Sequence, residues 1–125
     1  MRHLEENLQA ACVKWFRIQY PQYNGLLFHV PNGGRRNLKE ATRLKAEGVV
    51  AGVADLILLV PKYLHLHDEY ETETFHALCI EMKTEKGRQS AEQILWQYKV
   101  ERYGYKYAVC RSLDEFIDTI NNYLQ

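Results

Sequence analysis

A chain of 125 residues, 46% apolar and 26% charged, is sized and composed for one globular domain over residues 1–125. Lys plus Arg (16) equals Asp plus Glu (16), so net charge gives no argument for a nucleic-acid partner. An anion-binding protein of this composition must instead segregate its charges, and GGRRNLKEATRLKAEG is distinctly basic while HDEYETETFH is distinctly acidic.

Residues 3 to 19 repeat apolar side chains at helical spacing (Leu4, Leu8, Ala11, Trp15, widened by Cys12 and Phe16) until Pro21 and an Asn-Gly pair end the pattern. LLFHV reads as a short strand running into the turn PNGG. A second helix is expected over about 37 to 47, with Asn37 as N-cap, Glu40 three places on and Gly48 at its end. VADLILLVP gives the strongest strand signal, stopped by Pro61. KYLHLHDEYETETF reads as an exposed excursion with a hairpin tip, and HALCIEMK as a returning strand. A helix from about Ser90 to Tyr103 carries Ala91, Leu95, Tyr98 and Arg102 on one face, and Gly104 closes it. YKYAVC is a further buried strand. Ser112 with Glu115 forms a capping-box signature for a last helix that turns Leu113, Phe116, Ile117, Ile120 and Leu124 inward. This order predicts an α/β fold, a mixed sheet flanked by helices.

Cys12, Cys79 and Cys110 are odd in number, scattered and set among apolar residues, which suits reduced thiols in the cytoplasm better than disulfides. The N-terminus is too polar for a signal peptide, and no apolar run is long enough for a bilayer.

The chemistry gathers in CIEMKTEKGRQSAEQILW. Strand side chains alternate faces, so Glu81 and Lys83 point the same way and Met82 the other. Asp55 opens the apolar run before them, where aspartate is disfavoured. If these two strands pair antiparallel, Asp55 comes beside Glu81 and Lys83. Two neighbouring carboxylates repel at neutral pH and call for a hard divalent cation, Mg2+ or Mn2+. Such an ion polarises a phosphate and activates a bound water, which is the chemistry of phosphodiester hydrolysis.

The Asp in GVADL, followed by a hairpin to the E-x-K of EMK, resembles the PD-(D/E)xK nuclease superfamily. HVPNGG, LKAEGVVAGVADLIL, CIEMKTEKGRQSAEQILW and GYKYAV narrow the resemblance to the VRR-NUC family. It runs from Glu5 to about residue 115 and implies a restriction-endonuclease-like α/β fold. It also implies metal-binding carboxylates at Asp55 and Glu81, the peptide carbonyl of Met82 as a further ligand, Lys83 as catalytic lysine and Gln93 on the following helix. An acid on the first helix is implied at Glu5, spaced with Gln9, although Glu6 is adjacent. The proline usual before the aspartate is Ala54 here, a loss of geometry rather than of a ligand. Stand-alone family members of phage or bacterial type resemble homodimeric nucleases of branched DNA such as four-way (Holliday) junctions.

Several of these residues have two readings. Gln93 either serves the site or merely caps the helix behind Ser90. Asn32, Arg35, Arg36, Lys39, Arg43 and Lys45 either contact DNA phosphates or form a solvated basic surface. His29 either touches DNA or packs within its strand. HLHDE reads as a solvated tip, not a metal site. The functions in competition are a metal-dependent structure-specific endonuclease, an inactive nuclease fold that only binds DNA, and a nuclease of linear duplexes.

Overall fold

The computed structural model describes residues 2–31, 37–66 and 70–125, and for Arg2, His65, Leu66, Tyr70 and Glu71 the backbone alone. Helix α1 (Arg2–Gln19) ends one residue before a single 3-10 turn at Pro21–Tyr23. Then follow β1 (Leu27–His29), α2 (Leu38–Ala46), β2 (Leu56–Leu58), β3 (Lys62–Leu66), β4 (Tyr70–Phe75), β5 (Leu78–Met82), α3 (Ala91–Arg102), β6 (Lys106–Cys110) and α4 (Leu113–Leu124). Three N-caps expected from sequence are formed. The side chains of Asn37, Ser90 and Ser112 accept from the backbone N–H three residues on. Gly48 and Gly104 follow their helices with positive φ, as the C-terminal turn requires.

The main sheet has the order β1-β2-β5-β6. β1, β2 and β5 are antiparallel neighbours, and β5 pairs parallel with β6 through the α3 crossover. The sheet is therefore mixed, as the element order predicts. Alternation along β5 splits the core in two. Leu78, Ile80 and Met82 join Cys12 and Phe16 of α1 and Phe116 and Ile120 of α4, whereas Cys79 joins Ala54 and Tyr107 beneath Trp96 and Val100 of α3. With both faces covered, every residue of β5 is buried, Glu81 included. Each large apolar side chain in that core contributes about 1.5–3 kcal/mol of transfer free energy. The three thiols are buried and free, and no described helix is long and apolar enough to cross a membrane.

Two expectations are corrected in detail, for the second strand and for α3. The strand expected over 53–60 is regular only at Leu56–Leu58, and Asp55 lies in the bend before it. Its carboxylate takes a backbone N–H of the neighbouring strand in place of a ladder bond. The excursion after Pro61 forms the antiparallel pair β3 with β4, a separate two-stranded sheet in keeping with the expected hairpin. Lys62 roots it by donating to the carbonyls of Asn122 (2.8 Å), Tyr123 (3.0 Å) and Gln125 (3.1 Å) at the end of α4. Finally, α3 packs through Trp96 and Val100 and leaves Leu95 and Tyr98 exposed. Its apolar residues lie all round the helix, so periodicity alone does not choose the inward side. In α4, Tyr123 is buried beside Phe116 and Ile120, and its hydroxyl donates to Val60 O at 2.7 Å.

Candidate active site

The register Leu56↔Ile80 places Asp55 and Glu81 at the next step of the same antiparallel pair. Asp55 turns its Oδ2 onto the Met82 N–H at 2.7 Å. Its own carbonyl accepts from Val30 N–H (2.9 Å) and from His29 Nδ1 (2.8 Å). A carbonyl only accepts, so Nδ1 of His29 carries a proton. Asp55 is thus held between β1 and β5 by backbone groups of both.

Glu81 is 2% exposed, an unusual position for an acid at the end of a core strand. Its Oε2 takes the Gln93 amide at 3.0 Å and lies 3.5 Å from the Lys83 ammonium. Among the described residues, none donates a hydrogen bond to its buried Oε1. Burial pushes the Glu81 carboxyl up to about 8, and the neighbouring Asp55 charge adds to the rise against the opposing pull of Lys83. An acid so placed favours its protonated form at neutral pH.

Gln93 caps the helix and contacts Glu81 at the same time. Its Oε1 accepts from Ser90 N–H (2.8 Å), closing the capping box, while its Nε2 donates to Glu81 (3.0 Å). The amide has one end for each task, and the cap fixes which end faces the acid.

A cleft of about 820 Å³ opens at this end of the sheet, lined by Asp55, Glu81, Met82 and Lys83 and by residues of α1. Glu5 and Glu6 both line it, Glu5 half-buried and Glu6 exposed. Among the described residues, no hydrogen bond or ion pair joins Glu5 to Asp55, Glu81, Met82 or Lys83. Lys39 and Arg43 of α2 do not line this cleft, and Arg43 is paired with Glu47 at 3.1 Å. Asn32, Arg35 and Arg36 lie outside the described residues, as does the centre of HLHDE.

The residues fit a divalent ion in one specific respect. No donor among the described residues reaches the buried Glu81 Oε1, so its own proton, shared with Asp55, or a cation must pair it; left unpaired, such an atom costs about 1–3 kcal/mol. Among the described residues no three His, Cys, Asp or Glu side chains converge into a ready-made metal cluster. Asp55 and Glu81 are the two carboxylates that meet at the strand ends, and an ion held by so few side chains would have to finish its shell with other oxygen ligands such as water.

Two supporting residues escape a reading of the sequence. Gly52 (φ +86°) lets the approach to Asp55 pass directly against the first turn of α3. A Cβ there would lie 2.4 Å from Glu92 O and 2.9 Å from Gln93 N. The glycine thereby sets the spacing between the Asp55 segment and the helix that carries Gln93. Gly52→Ala is expected to cost about 3 kcal/mol from the clash and the left-handed backbone. Thermal unfolding of the purified variant measures that loss, and an unchanged melting temperature rejects the close approach. Arg111 clamps the turn after Lys83: its Nη1 donates to the carbonyls of Thr84 (2.9 Å), Glu85 (3.4 Å) and Gly87. Nothing local in the sequence signals that reach from the far end of β6.

The family model described as VRR-NUC domain matches residues 2–114. A solved structure of a protein described as a VRR_NUC domain protein superposes with a TM-score of 0.75 at 24% identity, over 95% of this chain and 86% of that one. At that identity the likeness speaks for the fold. No curated protein matches the chain at a significant level.

Proposed function

Because this chain belongs to the VRR-NUC domain family, a nuclease-type domain, we propose that it is a Mg2+- or Mn2+-dependent endonuclease hydrolysing phosphodiester bonds of DNA, with branched DNA such as four-way junctions cut best. The observation that carries the reading is the buried Oε1 of Glu81, to which no described residue donates, beside a second carboxylate and a lysine. Asp55, Glu81 and the Met82 carbonyl would hold the ion. In a strand a residue's N–H and C=O leave by the same edge, so this carbonyl shares the edge where Met82 N–H meets Asp55. When bound, such an ion supplies a polarised phosphate and an acidified water.

The chain's own residues do the rest. Gln93 fixes the orientation of the Glu81 carboxylate through a helix cap that is itself rigid. Lys83 keeps an ammonium, largely shielded from solvent, beside Glu81. From there it orients the attacking water and offsets the charge that grows on phosphorus as the new P–O bond forms and the old one breaks. Glu5 completes the site from α1.

Three buried free thiols suit a reducing cytoplasm. A homodimer, which would present two sites to two strands, is favoured by the exposed Ile94, Leu95 and Tyr98 of α3.

The test is a panel of labelled four-way junctions, flaps, nicked and linear duplexes with Mg2+, Mn2+ or EDTA. Metal-dependent product, formed fastest from the junction, is expected. Equal cutting of every substrate defeats the branched preference alone. DNA binding with no product under any metal would favour the inactive nuclease fold, against which intact Asp55, Glu81 and Lys83 argue.

A further inference from the structure

Helix α1 lines the same cleft as the candidate catalytic residues, and its charges there are sorted by position. Glu5 and Glu6 line the cleft near the helix N-terminus, and Lys14 and Arg17 line it towards the C-terminus. At 1.5 Å rise per residue, Glu5 and Lys14 stand about 13 Å apart along the axis, while Lys14 and Arg17 are neighbours at about 4.5 Å. The spacing i, i+3 puts both cations on one face. Both side chains are exposed. Among the described residues, neither the ammonium nor the guanidinium makes an ion pair or side-chain hydrogen bond. By contrast, Arg43 on α2 is already paired with Glu47.

Two cations that find no partner among the described residues, in the cleft that Asp55 and Glu81 also line, are placed to meet an anion there. Complementing the α1 dipole accounts for a positive charge in its last turn, but that role asks nothing of the side chains' position over the site. We propose that Lys14 and Arg17 are a phosphate grip: they hold the sugar-phosphate backbone of the cut strand on one side of the scissile bond. Towards the N-terminus the helix offers the cleft no cation among its described lining residues. The cleft therefore binds nucleic acid asymmetrically, and the strand leaves the site over the C-terminal half of α1. This inference takes its substrate from the nuclease reading above. It adds where the backbone is held and by what.

The test measures DNA binding in EDTA, so that no cutting interferes, for the wild type, Lys14→Ala/Arg17→Ala and the charge-keeping Lys14→Arg/Arg17→Lys. The substrate is a labelled four-way junction, with its linear arm as a second probe. The alanine pair is expected to weaken binding about 10- to 100-fold, and to lower the slope of log K against log salt by about 1.5, since each lost phosphate contact removes about 0.7–0.9. The charge-keeping pair retains the wild-type slope. Single neutral methylphosphonates scanned along the cut strand should weaken wild-type binding on one side of the cut, and that sensitivity should vanish in the alanine pair. Both side chains are exposed, so melting temperatures stay close to wild type.

An unchanged salt slope and an unchanged interference pattern in the alanine pair overturn the grip, even if the wild type cuts DNA. A wild type that binds DNA through these two residues but never cuts it with Mg2+ or Mn2+ overturns the nuclease reading and leaves the grip standing. A wild type that binds no DNA overturns both.

Discussion

Glu81→Gln is expected to lower cleavage by at least about 10³-fold and, in the absence of metal, to give a protein more stable than the wild type. The rate loss follows from replacing an anionic ligand, whose oxygens serve an ion and Lys83, by a neutral amide. The gain in stability follows from burial. The Glu81 carboxyl is pushed from its ordinary 4.5 to about 8 by burial first and by the Asp55 charge second. Between those two values the folded protein keeps a proton that the unfolded chain has released. This stabilisation is full below about pH 4.5 and is lost as pH rises through about 8. Glutamine resembles the protonated acid at every pH. The difference should therefore grow with pH and reach on the order of 5 kcal/mol above pH 8, at about 1.4 kcal/mol for each unit between 4.5 and about 8, a shift of many degrees in melting temperature.

Melts in EDTA from pH 5 to 9 provide the measurement. A wild-type melting temperature independent of pH, with the variant no more stable at pH 8.5, would refute the buried-acid account. Adding Mg2+ or Mn2+ should reverse the order, raising the wild-type melting temperature more at pH 8 than at pH 6 and leaving Glu81→Gln unmoved. The ion competes with the proton that Glu81 holds.

Asp55 gives the second large effect, because its carboxylate has two tasks that substitution can separate. Asp55→Asn and Asp55→Ala should each reduce cleavage by about 10³-fold or more, since both remove a charge that would face the ion. Their stabilities should differ. Asparagine still offers an oxygen to the Met82 N–H, now bonded at 2.7 Å, whereas alanine leaves that N–H without its partner. The expected penalty is about 1–3 kcal/mol for alanine and little for asparagine. Either change also removes a charge that raises the Glu81 carboxyl, so the pH dependence of the metal-free melt should move to lower pH. Equal melting temperatures for the two variants would mean that Asp55 is not holding the end of β5.

Much of this protein is legible in the order of its residues, because the signals concerned act over a few positions. Capping by Asn37, Ser90 and Ser112 depends on an oxygen and an N–H three residues away. The shared direction of Glu81 and Lys83 depends only on strand alternation, and the two side chains do meet at 3.5 Å. The placement of Asp55 beside Glu81 needed one further step, an antiparallel pairing, and the register supplies it.

Other features were decided by the packed molecule, because they join residues that no local period relates. The inward side of α3 was set by Tyr107 beneath Trp96, since apolar residues surround that helix. Gly52 matters through the backbone of Glu92 and Gln93, and Arg111 through carbonyls some 25 positions earlier. Lys14 and Arg17 look like ordinary helix-surface cations until α1 is laid over the end of the sheet. The sequence by itself determined which groups could do chemistry and in which elements they lie. Only the tertiary structure decided which of them share one cleft, because that depends on contacts between segments far apart in the chain.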